Sequence, residues 1–288
     1  MAFIIQNIID GILVGILYAA IAVGFSLAWG VMNVINLAYG NMVILGALIT
    51  TWLFRAYTIN PLYVIPLSSV ILFLFGFFVQ RYGLNRIIRA PIYMTFIFTF
   101  GLSLILENFS LIIFGGDYRS AAASGVRNIF LGPICIPFMR IVVSILAVVI
   151  IIGFYLFMEK TKTGHAIRAT RMNVESAKLM GIDVGKIYAI TFGISAAMAG
   201  AAGSLVSTAY MITPTSGPPY LFVAFVACII GGLGNINGAL VGGVFLGLIE
   251  TFGSVYFGPG YQEITGMVAL VIILIFRPRG ILGKEYYE

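Results

Sequence analysis

The chain has 288 residues, of which 61% are hydrophobic and only 9% charged, and its mean hydropathy is +1.08. This composition excludes a soluble globular domain. The net charge of +6 does not indicate nucleic-acid binding, because twelve of the sixteen Lys and Arg residues fall in three clusters, at 81–89, 160–186 and 277–284. Such clusters are typical of the cytoplasmic loops of membrane proteins.

Long apolar stretches recur along the whole sequence, and in hydrocarbon such stretches are helical because the backbone must satisfy its own hydrogen bonds. We predict one all-α domain over 1–288, a polytopic transmembrane helical bundle. The predicted spans, in chain order, are 11–30, 42–54, 61–80, 92–115, 141–158, 187–210, 244–257 and 262–276. The mixed-charge segment 116–140, which contains Arg127, is predicted to be an outer loop.

A ninth apolar segment, 220–230, is short. A dozen helical residues rise only about 18 Å, less than the ~30 Å of a hydrocarbon core, so this segment is predicted to be short, tilted or re-entrant. If it crosses, the chain makes nine passages. The basic clusters then place the C-terminus in the cytoplasm and the N-terminus outside.

Two apolar runs are interrupted by glycine and asparagine, and each is followed by a span and a basic end. Paired interruptions of this kind indicate a possible internal repeat and the translocation path of a transporter. Neutral amides at such sites either contact a polar solute or hold helices together, and both interpretations stay open. The path candidates are Asn33, Asn36 and Asn41 in the first run, and Gly231, Gly232, Gly234, Asn235 and Asn237 in the second. The pairs Gly238/Gly242 and Gly243/Gly247 favour close helix packing instead.

Sequence motifs for catalysis and metal binding are missing. The single histidine, His165, has no acidic or cysteine partner at metal-ligand spacing. The segment Gly181–Ile187 is one residue too short for a phosphate-binding loop and ends in Ile where Ser or Thr must bind Mg²⁺. We therefore expect no ATPase activity, metal or cofactor in this chain. Glu107 and Glu250 are predicted near helix ends, which disfavours an ion-coupled carrier.

The longest strongly polar segment is the predicted cytoplasmic loop 159–186. Its alternation of small, apolar and charged residues predicts one or two short amphipathic helices. Small alanines favour docking against a partner protein over burial in lipid, where bulky residues are expected. The candidate docking residues are Gly164, His165, Ala166, Arg168, Ala169, Arg171, Glu175, Ala177, Leu179 and Gly181. We expect a large acidic residue at Ala169 or Ala177 to prevent docking.

Three stretches carry a resemblance to a known family: 18–48, YAAIAVGFSLAWGVMNVINLAYGNMVILGAL; 163–183, TGHAIRATRMNVESAKLMGID; and 231–250, GGLGNINGALVGGVFLGLIE, with RPRGIL at 277–282. They resemble the permease subunits of bacterial ABC importers of the branched-chain amino-acid type, and the first of the two paired permeases in particular. The resemblance implies an inner-membrane protein that works with a second permease, two cytoplasmic ATPase subunits that bind ATP and Mg²⁺, and a periplasmic solute-binding protein. The loop 163–183 would couple to the ATPases, with Gly164 and Gly181 as hinges.

Three alternatives remain at this point. One is a related ABC permease for simple sugars, urea or short amides, because the binding protein usually selects the solute. The second is a stand-alone ion-coupled carrier or channel, which would transport without ATP. The third is a membrane scaffold, which would tolerate bulky replacements at Asn33, Asn36 and 231–238.

Overall fold

The computed structural model describes residues 2–87, 91–121, 128–131 and 134–283. The helices are α1 Ala2–Met32, α2 Tyr39–Tyr57, α3 Pro61–Phe78, α4 Asn85–Ile87, α5 Ile92–Phe114, α6 Phe138–Lys160, α7 Lys162–Met172, α8 Val174–Leu179, α9 Val184–Ala209, α10 Gly217–Gly231, α11 Ile236–Phe257 and α12 Gln262–Phe276. A π-helical turn, Val79–Leu84, joins α3 to α4, and a 3-10 turn, Pro259–Tyr261, precedes α12.

Seven helices in the described residues are long and apolar enough to cross a membrane. To these the bundle adds α2, with 19 residues, and the shorter apolar helix α10, with 15. The prediction of an all-α polytopic bundle with one short segment is therefore confirmed. Of the predicted basic clusters, Arg89 and Lys284 lie outside the described residues.

The predicted outer loop 116–140 contains a small hairpin that the sequence analysis did not foresee. Strands β1, Asn128–Leu131, and β2, Ile134–Pro137, pair antiparallel with Asn128 opposite Pro137. Residues 122–127, including Arg127, and 132–133 lie outside the described part of the chain. Cys135 in β2 exchanges two hydrogen bonds with the Gln6 side chain, at 2.8 and 2.9 Å, so the hairpin is fixed to the start of α1.

Helix α1 is longer than the predicted first span of 11–30. Its 31 residues rise about 46 Å, which exceeds the ~30 Å hydrocarbon core. The additional first turns contain Gln6, Asn7 and Asp10. These polar residues kept the first turns out of the predicted span, and they place the start of α1 among the loops at one end of the bundle.

Glycine permits the closest helix contacts in the bundle. A Cβ atom on Gly15 of α1 would lie 2.7 Å from the Cα atom of Val244 in α11, and one on Gly243 would lie 2.5 Å from the Cα atom of Ala19. Gly242 and Gly238 bring α11 equally close to α10. The packing predicted for Gly238, Gly242, Gly243 and Gly247 is therefore what the structure contains.

The start of α11 corrects the sequence prediction. The glycine-rich segment 231–243 was predicted to interrupt the apolar run, with a span only from 244 onwards. The observed interruption is only 232–235, because α11 begins at Ile236. The glycines from Gly238 onwards are helical, since they lie where α11 contacts α10 and α1 and a side chain would not fit.

Helix α9 crosses the centre of the bundle and is the most buried of the long helices. It contacts α2 and α3 through a hydroxyl cluster. Ser204 lies 2.6 Å from the hydroxyl of Ser68 in α3 and 2.8 Å from that of Thr50 in α2. These hydrogen bonds satisfy buried polar groups between helices that small residues bring close together.

The helices alternate in direction, which gives the bundle two faces. At the amino-terminal face, where α1 begins, the backbone of Arg119 bonds to that of Ile212. At the opposite face, called here the basic face, the Asn85 side chain donates to the Gly185 carbonyl at 3.0 Å. The described part of the basic face carries Arg81, Arg86, segment 160–186, Arg277 and Arg279.

Candidate functional site

The predicted docking loop forms two short helices on the basic face. Thr161 begins α7 by accepting a hydrogen bond from the Gly164 amide at 3.0 Å. Asn173 begins α8 in the same way through the Ser176 amide at 2.9 Å, and Asp183 then begins α9. Each polar cap satisfies a free amide of a helical first turn, so the three caps fix the boundaries of these helices.

The small residues of this segment face inward rather than outward. Gly164, Ile167 and Thr170 are buried along one face of α7, and Ala177 of α8 is only 3% exposed. The prediction that Ala177 forms an exposed docking surface is therefore wrong. The physical reason is that a short helix beside a bundle uses its small residues to approach that bundle. Ala166 also packs against the core, and Ala169 is half-buried.

The two predicted hinges differ from each other. Gly164 lies in the first turn of α7, where a Cβ atom would collide with the backbone of Met158, so it is a packing glycine and not a hinge. Gly181 has φ +80° and follows the end of α8, where its amide donates to the Lys178 carbonyl at 2.9 Å. This left-handed conformation is the usual way in which a glycine ends a helix.

The outward side of the segment carries large apolar residues among charges. Met172, Leu179 and Met180 are 87%, 88% and 84% exposed. Charged residues surround them, and Arg171 is one that is exposed. A ring nitrogen of His165 lies 2.7 Å from a guanidinium nitrogen of Arg168, and Glu175 and Lys178 form an ion pair at 2.6 Å. Exposed methionines are common at adaptable binding surfaces. We call Met172, Leu179 and Met180 the apolar tip.

Two of the three asparagines predicted for the first interruption, Asn36 and Asn41, have side-chain hydrogen-bond partners. Asn36 is 1% exposed and its side-chain oxygen accepts from the Ala38 amide at 3.1 Å. Asn41 is 4% exposed and its Nδ2 atom donates to the backbone and the hydroxyl of Ser103 in α5, at 2.9 Å each. Asn33, with φ +52°, is exposed at the break after α1. The Asn36 bond therefore holds the broken backbone, whereas the Asn41 bonds join α2 to α5.

The second interruption, residues 232–235, is held by hydrogen bonds to the C-terminal segment, which contains Ile281 and Leu282. We call this contact the joint. Gly232 and Gly234 have positive φ, and Asn235 begins α11 by accepting from the Asn237 amide at 3.1 Å. The Asn235 side chain also donates to the Leu282 carbonyl at 2.8 Å. The amide of Leu282 in turn donates to the Gly231 carbonyl at 3.0 Å. The C-terminal segment thus satisfies carbonyls left free at the end of α10.

The structure brings the two predicted interruptions into contact. A Cβ atom on Gly30, at the end of α1, would lie 2.7 Å from the Gly234 carbonyl oxygen. Beside this contact is a cavity of about 310 Å³ whose lining includes Asn235 and Asn237 together with Arg168 and Arg171 of α7. The second group of path candidates therefore adjoins the docking segment, whereas Asn36 and Asn41 are enclosed deeper in the bundle.

The sequence analysis missed a larger cavity on the amino-terminal face. It has a volume of about 720 Å³ and its lining includes Asp10, Arg140 and Glu250. Glu250 had been interpreted as an acid near a helix end. The available signal was the series of polar residues before the first apolar run, Gln6, Asn7 and Asp10, but the partners of Gln6 and Asp10 outside α1 lie more than 120 residues away in sequence.

Comparison with known proteins identifies the family. The family described as "Branched-chain amino acid transport system / permease component" matches residues 7–276. The chain belongs to this family. One relative of this permease is the high-affinity branched-chain amino acid transport system permease protein BraD of Pseudomonas aeruginosa, 29% identical over 99% of this chain and 97% of the relative.

A second relative is a probable branched-chain amino acid transport permease protein LivH from Methanocaldococcus jannaschii, 31% identical over 94% of this chain and 90% of the relative. The xylose transport system permease protein XylH of Haemophilus influenzae matches only 49% of this permease, at 28% identity. No solved structure matches. The full-length matches agree with the predicted family, and the sugar permease matches only in part.

Proposed function

We propose that this chain is a membrane-embedded permease subunit of an ATP-driven importer for branched-chain amino acids. The observation that carries the proposal is the match of the permease family over residues 7–276, together with two relatives that are named as branched-chain amino acid transport permeases. The alignment covers at least nine tenths of the length of each of these relatives. The polytopic helical bundle supports it, since a permease must form a path through the membrane.

The proposed importer contains four further subunits. A second permease would cover part of the apolar surface of this one, two ATPases would bind ATP and Mg²⁺, and a solute-binding protein would deliver the amino acid. We place the chain in the inner membrane, with the basic face in the cytoplasm because positive charge is retained on that side. This orientation puts the C-terminus in the cytoplasm and the N-terminus in the periplasm.

Segment 160–186 is the proposed contact with the ATPases. Its apolar tip supports this assignment, because three large apolar side chains exposed beyond a membrane bundle lose contact with water when a partner covers them. The surrounding basic residues would orient an acidic partner surface. The docking candidates change accordingly: Leu179 stays, Met172 and Met180 are added, and Ala177 is removed.

Two exposed methionines on opposite faces provide a matched test of the contact. We expect Met180→Asp to abolish co-purification of the ATPases with the permease, because a carboxylate would have to be buried in the apolar contact. Met211→Asp is the control, since Met211 is 74% exposed at the amino-terminal face. Equal co-purification of the ATPases with both variants would show that the tip is not the contact.

Uptake into liposomes tests the function itself. The complete importer should accumulate labelled leucine only when ATP and the binding protein are present, and it should not accumulate xylose. The permease alone, reconstituted without ATPases, should transport neither. Leucine transport by the chain alone would support the ion-coupled carrier and contradict our proposal, whereas ATP-driven xylose uptake would favour the sugar-permease alternative.

A further inference from the structure

The cavity at the amino-terminal face exists because α10 is short. Its 15 residues rise about 22 Å, and its far end is fixed at the joint with Ile281 and Leu282 on the basic face. The start of α10 therefore lies below the amino-terminal face, and α1, α11 and the beginning of α12 enclose the space above it. The resulting volume of about 720 Å³ is within the range of small-ligand sites.

One wall of this cavity carries a positive and a negative charge side by side. The Nη1 atom of Arg140, in α6, lies 3.3 Å from Oδ1 of Asp10 in α1. Gln6 holds the other carboxylate oxygen of Asp10 at 2.8 Å, and Gln6 is itself fixed by the backbone of Cys135. The Asp10 carboxylate therefore has a defined position, and Arg140 meets it through a single nitrogen.

Tyr210 supports the guanidinium from the other side. The Arg140 carbon Cζ lies 5.9 Å from the centre of the Tyr210 ring, a cation–π distance. Arg140 is 36% exposed and Asp10 is 19% exposed, which leaves both charges accessible from the cavity.

An unpaired amide lies close to this pair. Asn7, one helical turn before Asp10, is 5% exposed and lines the cavity, and its Nδ2 atom has no hydrogen-bond partner among the described residues. A buried donor without a partner is unfavourable, so a ligand that accepts from it would gain affinity. Asn7 and Arg140 thus offer donors to an anionic group, next to the Asp10 carboxylate.

The rest of the lining mixes apolar and polar side chains, and the polar ones include the hydroxyls of Ser216, Thr251 and Ser254 and the Glu263 carboxylate. Val14, Leu17, Pro219, Val223 and Val255 contribute hydrophobic surface. Glu250 is only 1% exposed, and its Oε2 atom accepts from Tyr18 at 2.8 Å and Gln262 at 3.0 Å. The Arg140–Asp10 ion pair, with aliphatic side chains elsewhere in the same lining, suits an α-amino acid with an aliphatic side chain.

We propose that this cavity binds the transported amino acid as a zwitterion, with its carboxylate at Arg140 and Asn7, its ammonium at Asp10 and its side chain against the aliphatic residues of the lining. The proposal rests on the proposed function and specifies its substrate contacts. A neutral sugar would gain nothing from the charge pair, so the site also favours the amino-acid assignment over the sugar alternative. Charge-assisted hydrogen bonds of this type fix the orientation of the ligand.

The test uses the complete importer in liposomes and measures the initial rate of ATP-driven leucine uptake at low substrate concentration. We expect Arg140→Gln and Asp10→Asn each to lower this rate by about tenfold or more, because each leaves one charge of the substrate unpaired. Arg55→Gln is the matched control: Arg55 is an exposed arginine at the same face, outside the cavity, and its removal should leave uptake unchanged.

Two further variants separate substrate binding from a structural role. The exchange Asp10→Arg with Arg140→Asp keeps an ion pair but reverses its direction, so we expect no recovery of uptake. Asn7→Leu removes an amide that has no partner among the described residues. It should lower uptake while the melting temperature of the assembled importer stays equal to or above that of the wild type.

The outcomes are distinguishable. Recovery of uptake by the exchanged pair, or normal uptake by Asn7→Leu, would overturn the zwitterion site and leave the permease assignment standing. Failure of the wild-type importer to accumulate leucine with ATP and the binding protein would overturn the proposed function and the site with it. Loss of uptake in Arg140→Gln and the exchanged pair, with normal assembly and a normal Arg55→Gln control, would confirm the site.

Discussion

Replacement of Gly15 by alanine tests the close contact between α1 and α11. The new Cβ atom would lie 2.7 Å from the Cα atom of Val244 and 2.8 Å from its carbonyl oxygen. Because non-bonded carbon atoms prefer about 3.5–4.0 Å, α11 would have to move by about 1 Å. α11 cannot move freely, since Gly242 holds it equally close to α10. Overpacking of this kind typically costs about 1–3 kcal/mol.

The control is Gly153→Ala in α6, another helical glycine of a long apolar helix, where a Cβ atom meets nothing within 4 Å. The assay is the unfolding of the purified permease by titration with a denaturing detergent, followed by helical circular dichroism. We expect Gly15→Ala to unfold at a lower detergent fraction than the wild type, and Gly153→Ala to unfold at the same or a higher fraction, because alanine is favourable in a helix where nothing crowds it. If Gly15→Ala were as stable as Gly153→Ala, the close approach of α1 and α11 would be refuted.

Three other predictions concern the joint, the hydroxyl cluster and the tip. Asn235→Ala should destabilise the permease by about 1 kcal/mol and make the C-terminus more accessible to carboxypeptidase, because the cap of α11 and the bond to Leu282 are both lost. Ser204→Ala should cost about 1 kcal/mol in the same detergent titration, because it removes two interhelical hydrogen bonds, each worth on average about 0.6 kcal/mol in a membrane. Leu179→Asp should reduce leucine-dependent ATP hydrolysis by the importer, for the same reason that Met180→Asp should reduce co-purification of the ATPases. Normal hydrolysis by this variant would show that Leu179 is not part of the contact.

Much of the helical architecture could be predicted from the sequence, because apolar length in a membrane protein depends on local composition. The break near Asn33 and the short α10 were found in this way. The prediction that the span formed by α11 begins at 244 was wrong. In the sequence alone, glycines such as Gly238 indicate an interruption rather than a helix. Their helical conformation depends on contact with Gly231 of α10, which no local pattern contains.

The candidate site was predictable only where it is local in sequence. The polar segment 160–186 was located because its polarity differs from everything around it, and its docking role stays a prediction. The side of α8 that faces the bundle was predicted wrongly, because the sequence of a six-residue helix cannot show that Ala177 is buried and Leu179 exposed. The charge pair of the large cavity was missed, since Asp10 and Arg140 meet only after the whole bundle has assembled.

Helix α6 offers a direct connection between the two functional regions proposed here. Arg140 lies in its first turn and Lys160 at its last, so about 30 Å of continuous helix separates the amino-acid site from the docking segment. The connection to α7 is stiff, because Thr161 bonds both the Phe157 carbonyl, at 2.7 Å, and the Gly164 amide. Gly164 also packs directly on Met158. A displacement of α7 would therefore be passed along α6 towards its first turns, where Ser144 bonds the Leu13 carbonyl at 3.1 Å and Arg140 pairs with Asp10 of α1. The proposed coupling contact and the proposed substrate contacts thus lie at the two ends of one helix.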